Sequence, residues 1–194
     1  MNPITHLVAS WIIAAKTTDN LRDQRLVTLA GVAPDLDGLG LLLDYAKGNG
    51  KYYYYQTYRH WEAHGLPAAL VCSVLMAVQA RRRWRVFWLA MLTFHLHLLC
   101  DLVGSRGPDK GDIWPIFYFG PLRQHPMWYW KYQWRLDGWQ NTVIFVALFA
   151  WSLGIAVKTG ESFVGIFNRR CDRVFVGVLQ KWRGQLWPKT PASS

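Results

Sequence analysis

A chain of 194 residues has room for one compact domain and not comfortably for two. Hydrophobic residues make up 52% and aromatic residues 15%, with 12 Trp, while only 18% are charged, which suits a protein partly solvated by lipid. A mean hydropathy of +0.02 excludes a chain built wholly of membrane spans, and three cysteines without C-x-x-C spacing exclude a disulfide framework and a thiolate zinc site.

The first apolar stretch, residues 4–15, has no positively charged region before it and no small-residue cleavage site, so no removable signal peptide is expected. It carries His6 near its start, a residue that taken alone reads as a buried structural histidine. A second short apolar stretch covers 25–33. Both are too short to span a bilayer and are expected to be partial insertions packed against longer helices.

Ala33-Pro34-Asp35-Leu36-Asp37-Gly38 follows. Pro34 biases Ala33 away from helix, and an extended turn is expected, in which residues i and i+2 point the same way. Asp35 and Asp37 then read either as an Asx-rich turn or as paired carboxylates that hold a cation and take a proton from its water. The run Tyr52 to Tyr55 places amphipathic rings where a membrane interface, or simple loop packing, would use them.

His60-Trp-Glu-Ala-His64 precedes a third apolar stretch, 65–80, with its histidines at i, i+4. It is not the zinc-protease H-E-x-x-H, because the glutamate is not next to the first histidine. The stretch 84–103 is long enough to cross a membrane and holds His97-Leu-Leu-Cys-Asp101. An i, i+4 pair shares one helix face, so imidazole and carboxylate can reach one ion; His95, about 200° away around the helix, is expected to be a core histidine or one supporting the ligands. An aspartate in an apolar helix needs a partner.

The connection 101–137 is rich in aromatic residues, with Trp128, Tyr129, Trp130, Tyr132 and Trp134, and holds Arg106 and Lys110, which read as solvated loop charge or as steering groups for an anion. A second long apolar stretch covers 139–157. Residues 163–187 mix apolar and basic residues as an interfacial helix on an anionic leaflet does, and 188–194 are expected to fray. Two segments result, a membrane-embedded domain over 1–157 and a basic amphipathic cytoplasmic tail over 158–194. The fold class is an all-α polytopic bundle of four or five short helices with a long outer loop.

Alternate connections sort the charge. One side carries 14 Lys and Arg with four acids, the other 8 with eight acids, so the whole formal charge of +10 falls on one side, which the positive-inside rule assigns to the cytoplasm. The same charge would suit a nucleic-acid partner, but the basic residues sort by membrane side and form no aromatic-interleaved groove, so no nucleic acid is expected. His6, Asp35, Asp37, His64, His97 and Asp101 all fall at the non-basic ends of their segments. Four separate pieces of chain deliver metal-type ligands to one level of the bundle.

In combination these elements resemble the bacterial inner-membrane proteins described as membrane-bound metal-dependent hydrolases of the YdjM type. The matching features are Thr5-His6, Pro34-Asp35-Leu36-Asp37, His60 to His64, His97 to Asp101 and Trp114-Pro115, over about residues 1–125. Many relatives space the histidine pair at i, i+5, which here sets Arg59 opposite His64, so His64 is the safer ligand and His60 the further candidate. The ligand order also looks like that of the zinc-dependent phospholipase C and single-strand nuclease superfamily. That likeness implies that Asp101 bridges two zinc ions, with His64, His97 and one of Asp35 and Asp37 on one and His6 on the other; the H-x-x-x-E of a third zinc site is missing, so one or two ions are expected.

The resulting expectation is a multi-pass inner-membrane hydrolase with its metal site towards the outer face. It would use Zn2+ or another divalent ion to cleave a lipid or other small phosphate ester, with the bilayer as its second partner. A non-catalytic metal-binding membrane protein or an ion-transport component is the rival class.

Overall fold

The computed structural model describes residues 1–47, 63–120, 122 and 126–186. His60 and the Tyr52 to Tyr55 run lie outside the described residues, as does the tail from 187. Asp37 is described only as part of its backbone element. Among the described residues there are seven α-helices and no β-strand, so the fold is all-α. They are α1 (Pro3–Thr17), α2 (Leu21–Ala30), α3 (Gly40–Ala46), α4 (Leu66–Gln79), α5 (Arg83–Gly104), α6 (Trp139–Thr159) and α7 (Arg169–Leu186), with 3-10 turns at Ala33–Leu39 and Phe163–Ile166.

Local chemistry sets the helix ends. The Asn2 side chain accepts from the Thr5 N–H at 2.8 Å and Pro3 occupies the first turn, where its missing N–H costs nothing. Asn20 accepts from the Asp23 N–H at 3.0 Å, which starts α2 four residues before the apolar stretch does. Gly160, at φ 77°, ends α6 in the left-handed conformation that glycine tolerates best.

Two helices, α5 of 22 residues and α6 of 21, are long and apolar enough to cross a membrane, each with a mean hydropathy of 1.8. The shorter α1, α2 and α4 pack around them. Val8, Trp11 and Ile12 of α1 meet Ile155 of α6, Ala14 meets Leu26, Val27 and Val86, and Ala69 of α4 meets Phe94 and Leu98 of α5. Apolar side chains also face outward: Leu70, Val71, Val74 and Leu75 on α4, Trp84, Trp88 and Leu92 on α5, and Val143, Val146 and Trp151 on α6 are exposed. A water-soluble surface rarely carries so much contiguous apolar area.

The fold differs from expectation at three points. Residues 33–39 wind as a 3-10 turn rather than an extended one, because Pro34 sits in a first turn that tolerates it and the Asp35 N–H bonds back to Val32 O at 3.0 Å. The i, i+2 argument for pairing Asp35 with Asp37 therefore does not hold on this backbone. Helix α3 occupies part of a connection read as loop and adds one short helix to those expected. Cysteines without a pairing pattern read as small buried hydrophobes, but Cys171 is exposed.

The connection between α5 and α6 is tied down by two buried amides. Gln133 donates to Asp101 O at 3.0 Å and Leu102 O at 3.2 Å and accepts from Trp114 N. Asn141 donates to Gly104 O and Leu136 O, both at 2.8 Å, and accepts from Trp134 Nε1 at 2.7 Å. The rings of Trp128, Tyr129, Trp130, Tyr132 and Trp139 remain exposed along this edge, where a headgroup belt would meet them.

Candidate metal centre

Three backbone elements and the loop before α4 converge at the end of the bundle opposite the arginine-rich α4–α5 turn. Helix α1 presents His6 from its first turn, the 3-10 turn presents Asp35, and α5 presents His97 and Asp101 from one face of its last two turns. One ligand atom from each of these four residues lies within 4.8 Å of every other. His64, just before α4, approaches the same carboxylate.

The distances bear on what the cluster can hold. Asp101 Oδ1 lies 3.3 Å from His6 Nε2, and Asp101 Oδ2 lies 3.2 Å from His97 Nε2 and 3.4 Å from His64 Nε2. His97 Nε2 is also 3.7 Å from Asp35 Oδ1. Ligand atoms around a tetrahedral zinc ion, with bonds near 2.0–2.1 Å, sit about 3.3 Å apart. These four separations fit ligands around a shared cation. Asp101 also turns its two oxygens to different partners, as a bridging carboxylate does.

Protonation sharpens the argument. His97 Nδ1 is 2.8 Å from Gly31 O, which can only accept, so Nδ1 carries the proton. With Nδ1 so committed, it is Nε2 that faces the two carboxylates. His6 Nε2, His97 Nε2 and Asp35 Oδ2 are buried and have no hydrogen-bond partner. Charging both histidines is a poor remedy, because the rings of His6 and His97 stack face to face with centroids 3.6 Å apart. A cation held between nitrogen and oxygen would give each of these atoms a partner, and imidazoles with carboxylates are a donor set that divalent metal ions use.

Asp35 differs from the others. Its side chain is 21% exposed, against 0% for His97 and 4% for Asp101, so the cluster opens to its surroundings on the Asp35 side. Burial raises the Asp35 carboxyl above its ordinary value, with His97 opposing and Asp101 reinforcing the effect. The Met1 amino group also contacts Asp101 Oδ1 and lies 3.2 Å from Ser105 Oγ.

Of the expected ligands, His6, Asp35, His97 and Asp101 are brought together and His64 touches Asp101. His95 stays apart as anticipated, donating from Nδ1 to Met91 O at 2.8 Å and accepting on Nε2 from the Tyr118 hydroxyl at 2.9 Å. Arg106 Nη1 donates to Asp109 O at 2.9 Å and Lys110 is exposed, both on the loop after α5. Sequence reasoning missed Gly31, whose contribution is a backbone carbonyl, and Gln133, which grips the carbonyl of Asp101 itself.

The fold and the cluster define a helical membrane protein with a buried His/Asp site able to hold a metal ion. The chain belongs to the YdjM inner membrane protein family, whose family model matches residues 1–178. No curated protein and no solved structure matches it.

Proposed function

We propose that the chain is a membrane-bound metal-dependent hydrolase, holding one or two divalent ions, zinc in the first instance, and cleaving the phosphate ester of a lipid or another small molecule. The observation that carries the metal is the His97 ring, whose Nδ1 proton is committed to Gly31 O while Nε2 faces Asp101 and Asp35. His6, His97, Asp101 and Asp35 would hold an ion, with His64 completing the far side of Asp101. A bound divalent ion supplies Lewis acidity, lowering the pKa of a water towards 7 and offsetting charge that grows on phosphoryl oxygens.

The protein's own part in catalysis falls to Asp35. Its Oδ2 is buried without a hydrogen-bond partner, and burial makes the carboxylate a better base, so this oxygen can take a proton from an attacking water. Asp37, two residues on, is the second acid of the same segment. Membership of an inner-membrane family supports a lipid substrate through proximity. The sorting of basic residues supports a multi-pass topology with the cluster towards the outer face.

The deep burial of His97 and Asp101 favours a second reading, a metal that only braces the helices or an ion in transit. Metal analysis of detergent-purified protein, paired with a phosphoesterase assay on synthetic lipid and soluble esters, separates the readings. The hydrolase reading expects bound metal, turnover that a chelator abolishes, and a folded but inactive His97→Ala. Absence of metal from the parent protein under zinc-replete conditions defeats both readings, and loss of fold in step with loss of metal favours the structural one.

A further inference from the structure

At the basic end of the bundle, α7 has three distinct faces. Asp172 and Val176 turn inward, where Asp172 accepts from the Ser162 N–H at 3.0 Å and from its hydroxyl at 2.5 Å, so the single acid of the helix is spent on internal bonds. Val174, Val178, Trp182 and Leu186 are all exposed. At 3.6 residues per turn each lies about 40° on from the last, forming one apolar stripe. Arg169, which pairs with Glu161 Oε1 at 3.6 Å, and Arg170, Arg173 and Lys181 occupy the remaining arc, beside the edge of the stripe that Val174 begins. The solvent-facing charge of α7 is therefore all positive.

The stripe also has a direction. Trp182 and Leu186 line one groove of about 530 Å3 with Leu153, Gly154 and Val157 of α6, and Lys158 and Arg183 add two cations to its lining. Gln180 Nε2 reaches Val157 O at 3.3 Å, which fixes α7 beside the last turns of that helix. Helix α6 is one of the two candidate spans, and only 17% of its apolar window is buried within the protein. The apolar stripe of α7 thus adjoins the outward apolar surface of a candidate span, with cations beside it.

We propose that α7 lies in the interface of an anionic phospholipid leaflet, with Val174, Val178, Trp182 and Leu186 below the phosphates and Arg169, Arg170, Arg173 and Lys181 among them. Charge complementarity selects this occupant over a neutral bilayer, because basic side chains at a leaflet surface gain from its negative potential. Continuity with α6 selects it over a protein partner.

The test uses the full chain in lipid nanodiscs, made either of phosphatidylcholine alone or with phosphatidylglycerol added. Nitroxides are placed at Val174→Cys, Trp182→Cys and Arg173→Cys in a background with Cys72→Ala, Cys100→Ala and Cys171→Ser. Accessibility to oxygen and to a water-soluble nickel chelate is then compared. The expected result is a several-fold preference for oxygen at 174 and 182, the reverse at 173, and a larger contrast when phosphatidylglycerol is present. Combined Arg170→Glu, Arg173→Glu and Lys181→Glu substitution, with the label at 174, should remove the lipid dependence; if that variant does not fold, the lipid comparison in the charged background decides alone. Preference for the nickel chelate at 174 and 182 overturns the proposal. So does shielding from both reagents, which means a protein surface covers the stripe, and so does equal depth in the two lipids.

Discussion

The ring of His97 and the carbonyl of Gly31 are joined by a 2.8 Å hydrogen bond that fixes which histidine nitrogen faces the acidic cluster. Gly31 cannot gain a side chain without moving that carbonyl, since a Cβ there would stand 1.9 Å from Ser10 Oγ and 3.1 Å from Thr93 Cβ. Gly31→Ala should therefore lose stability by about 1–3 kcal/mol through overpacking and bind metal about 10–100-fold more weakly through the misplaced ring. Denaturant unfolding and metal titration measure the two effects. Adding Ser10→Gly, which removes the nearest obstruction, should restore metal affinity but only part of the stability, because a glycine inside α1 costs about 0.5–1 kcal/mol; failure to restore the affinity would separate the carbonyl from the site.

Asp101 meets three imidazoles, so its replacement should cost more than that of any other single ligand. In Asp101→Asn one oxygen becomes an amide that repels cations, and metal content should fall at least about tenfold. Elemental analysis of the purified variant provides the check. Retention of the parent's metal content would show that the ion sits elsewhere.

The spans and the i, i+4 pair of His97 and Asp101 were legible in the sequence because helical periodicity and span length are written in side chains. His6 was legible only by its level in the bundle, since one histidine on an apolar helix carries no local signal. The extended turn that the sequence suggests for Asp35 is replaced by a 3-10 turn, which still brings its carboxylate to the cluster and arises from a backbone bond to Val32 that no side chain announces. Gly31 was invisible for the same reason, its role resting on a main-chain oxygen.

On the basic side, Asp23 accepts from the Arg81 N–H at 2.9 Å, the Arg82 N–H at 3.2 Å and Asn20 Nδ2 at 3.0 Å, linking the start of α2 to the α4–α5 turn. Burial alone would raise this carboxyl, but the bonds outweigh it and hold the group below its ordinary value. A carboxyl depressed on folding contributes stability above its unfolded pKa of about 3.9, and loses that contribution as pH falls through its folded value. Asp23→Asn should unfold at a lower temperature than the parent at pH 7, with the gap closing as pH falls below the unfolded value of about 3.9. Thermal unfolding in detergent and chelator tests this, and a gap independent of pH would refute it.

Asn141 and Gly104 form the hinge pin between the two candidate spans. A Cβ on Gly104 would stand 2.7 Å from both Asn141 Oδ1 and Trp134 Nε1, so the glycine is what lets the amide reach the end of α5. Asn141→Ala leaves the buried carbonyl of Gly104 unsatisfied, at about 1–3 kcal/mol. Gly104→Ala should displace the same amide, so the double variant should lose clearly less than the two single losses added together. Additive losses in denaturant unfolding would show that the two positions act separately.

Asp35 gives the sharpest division between chemistry and architecture. Its side chain is the partly exposed member of the four-residue cluster, and its Oδ2 is buried without a partner. Asp35→Asn keeps size and removes both the negative charge and the capacity to take a proton. If this carboxylate serves as base as well as ligand, the variant should stay folded and keep more metal than Asp101→Asn, while turnover of a phosphate ester falls by about 100-fold or more, the scale of general base catalysis. If the ion only braces the helices, metal content and melting temperature should fall together. Metal content, thermal stability and turnover measured on one preparation distinguish the outcomes, and unchanged turnover with metal still bound would remove Asp35 from the chemistry altogether.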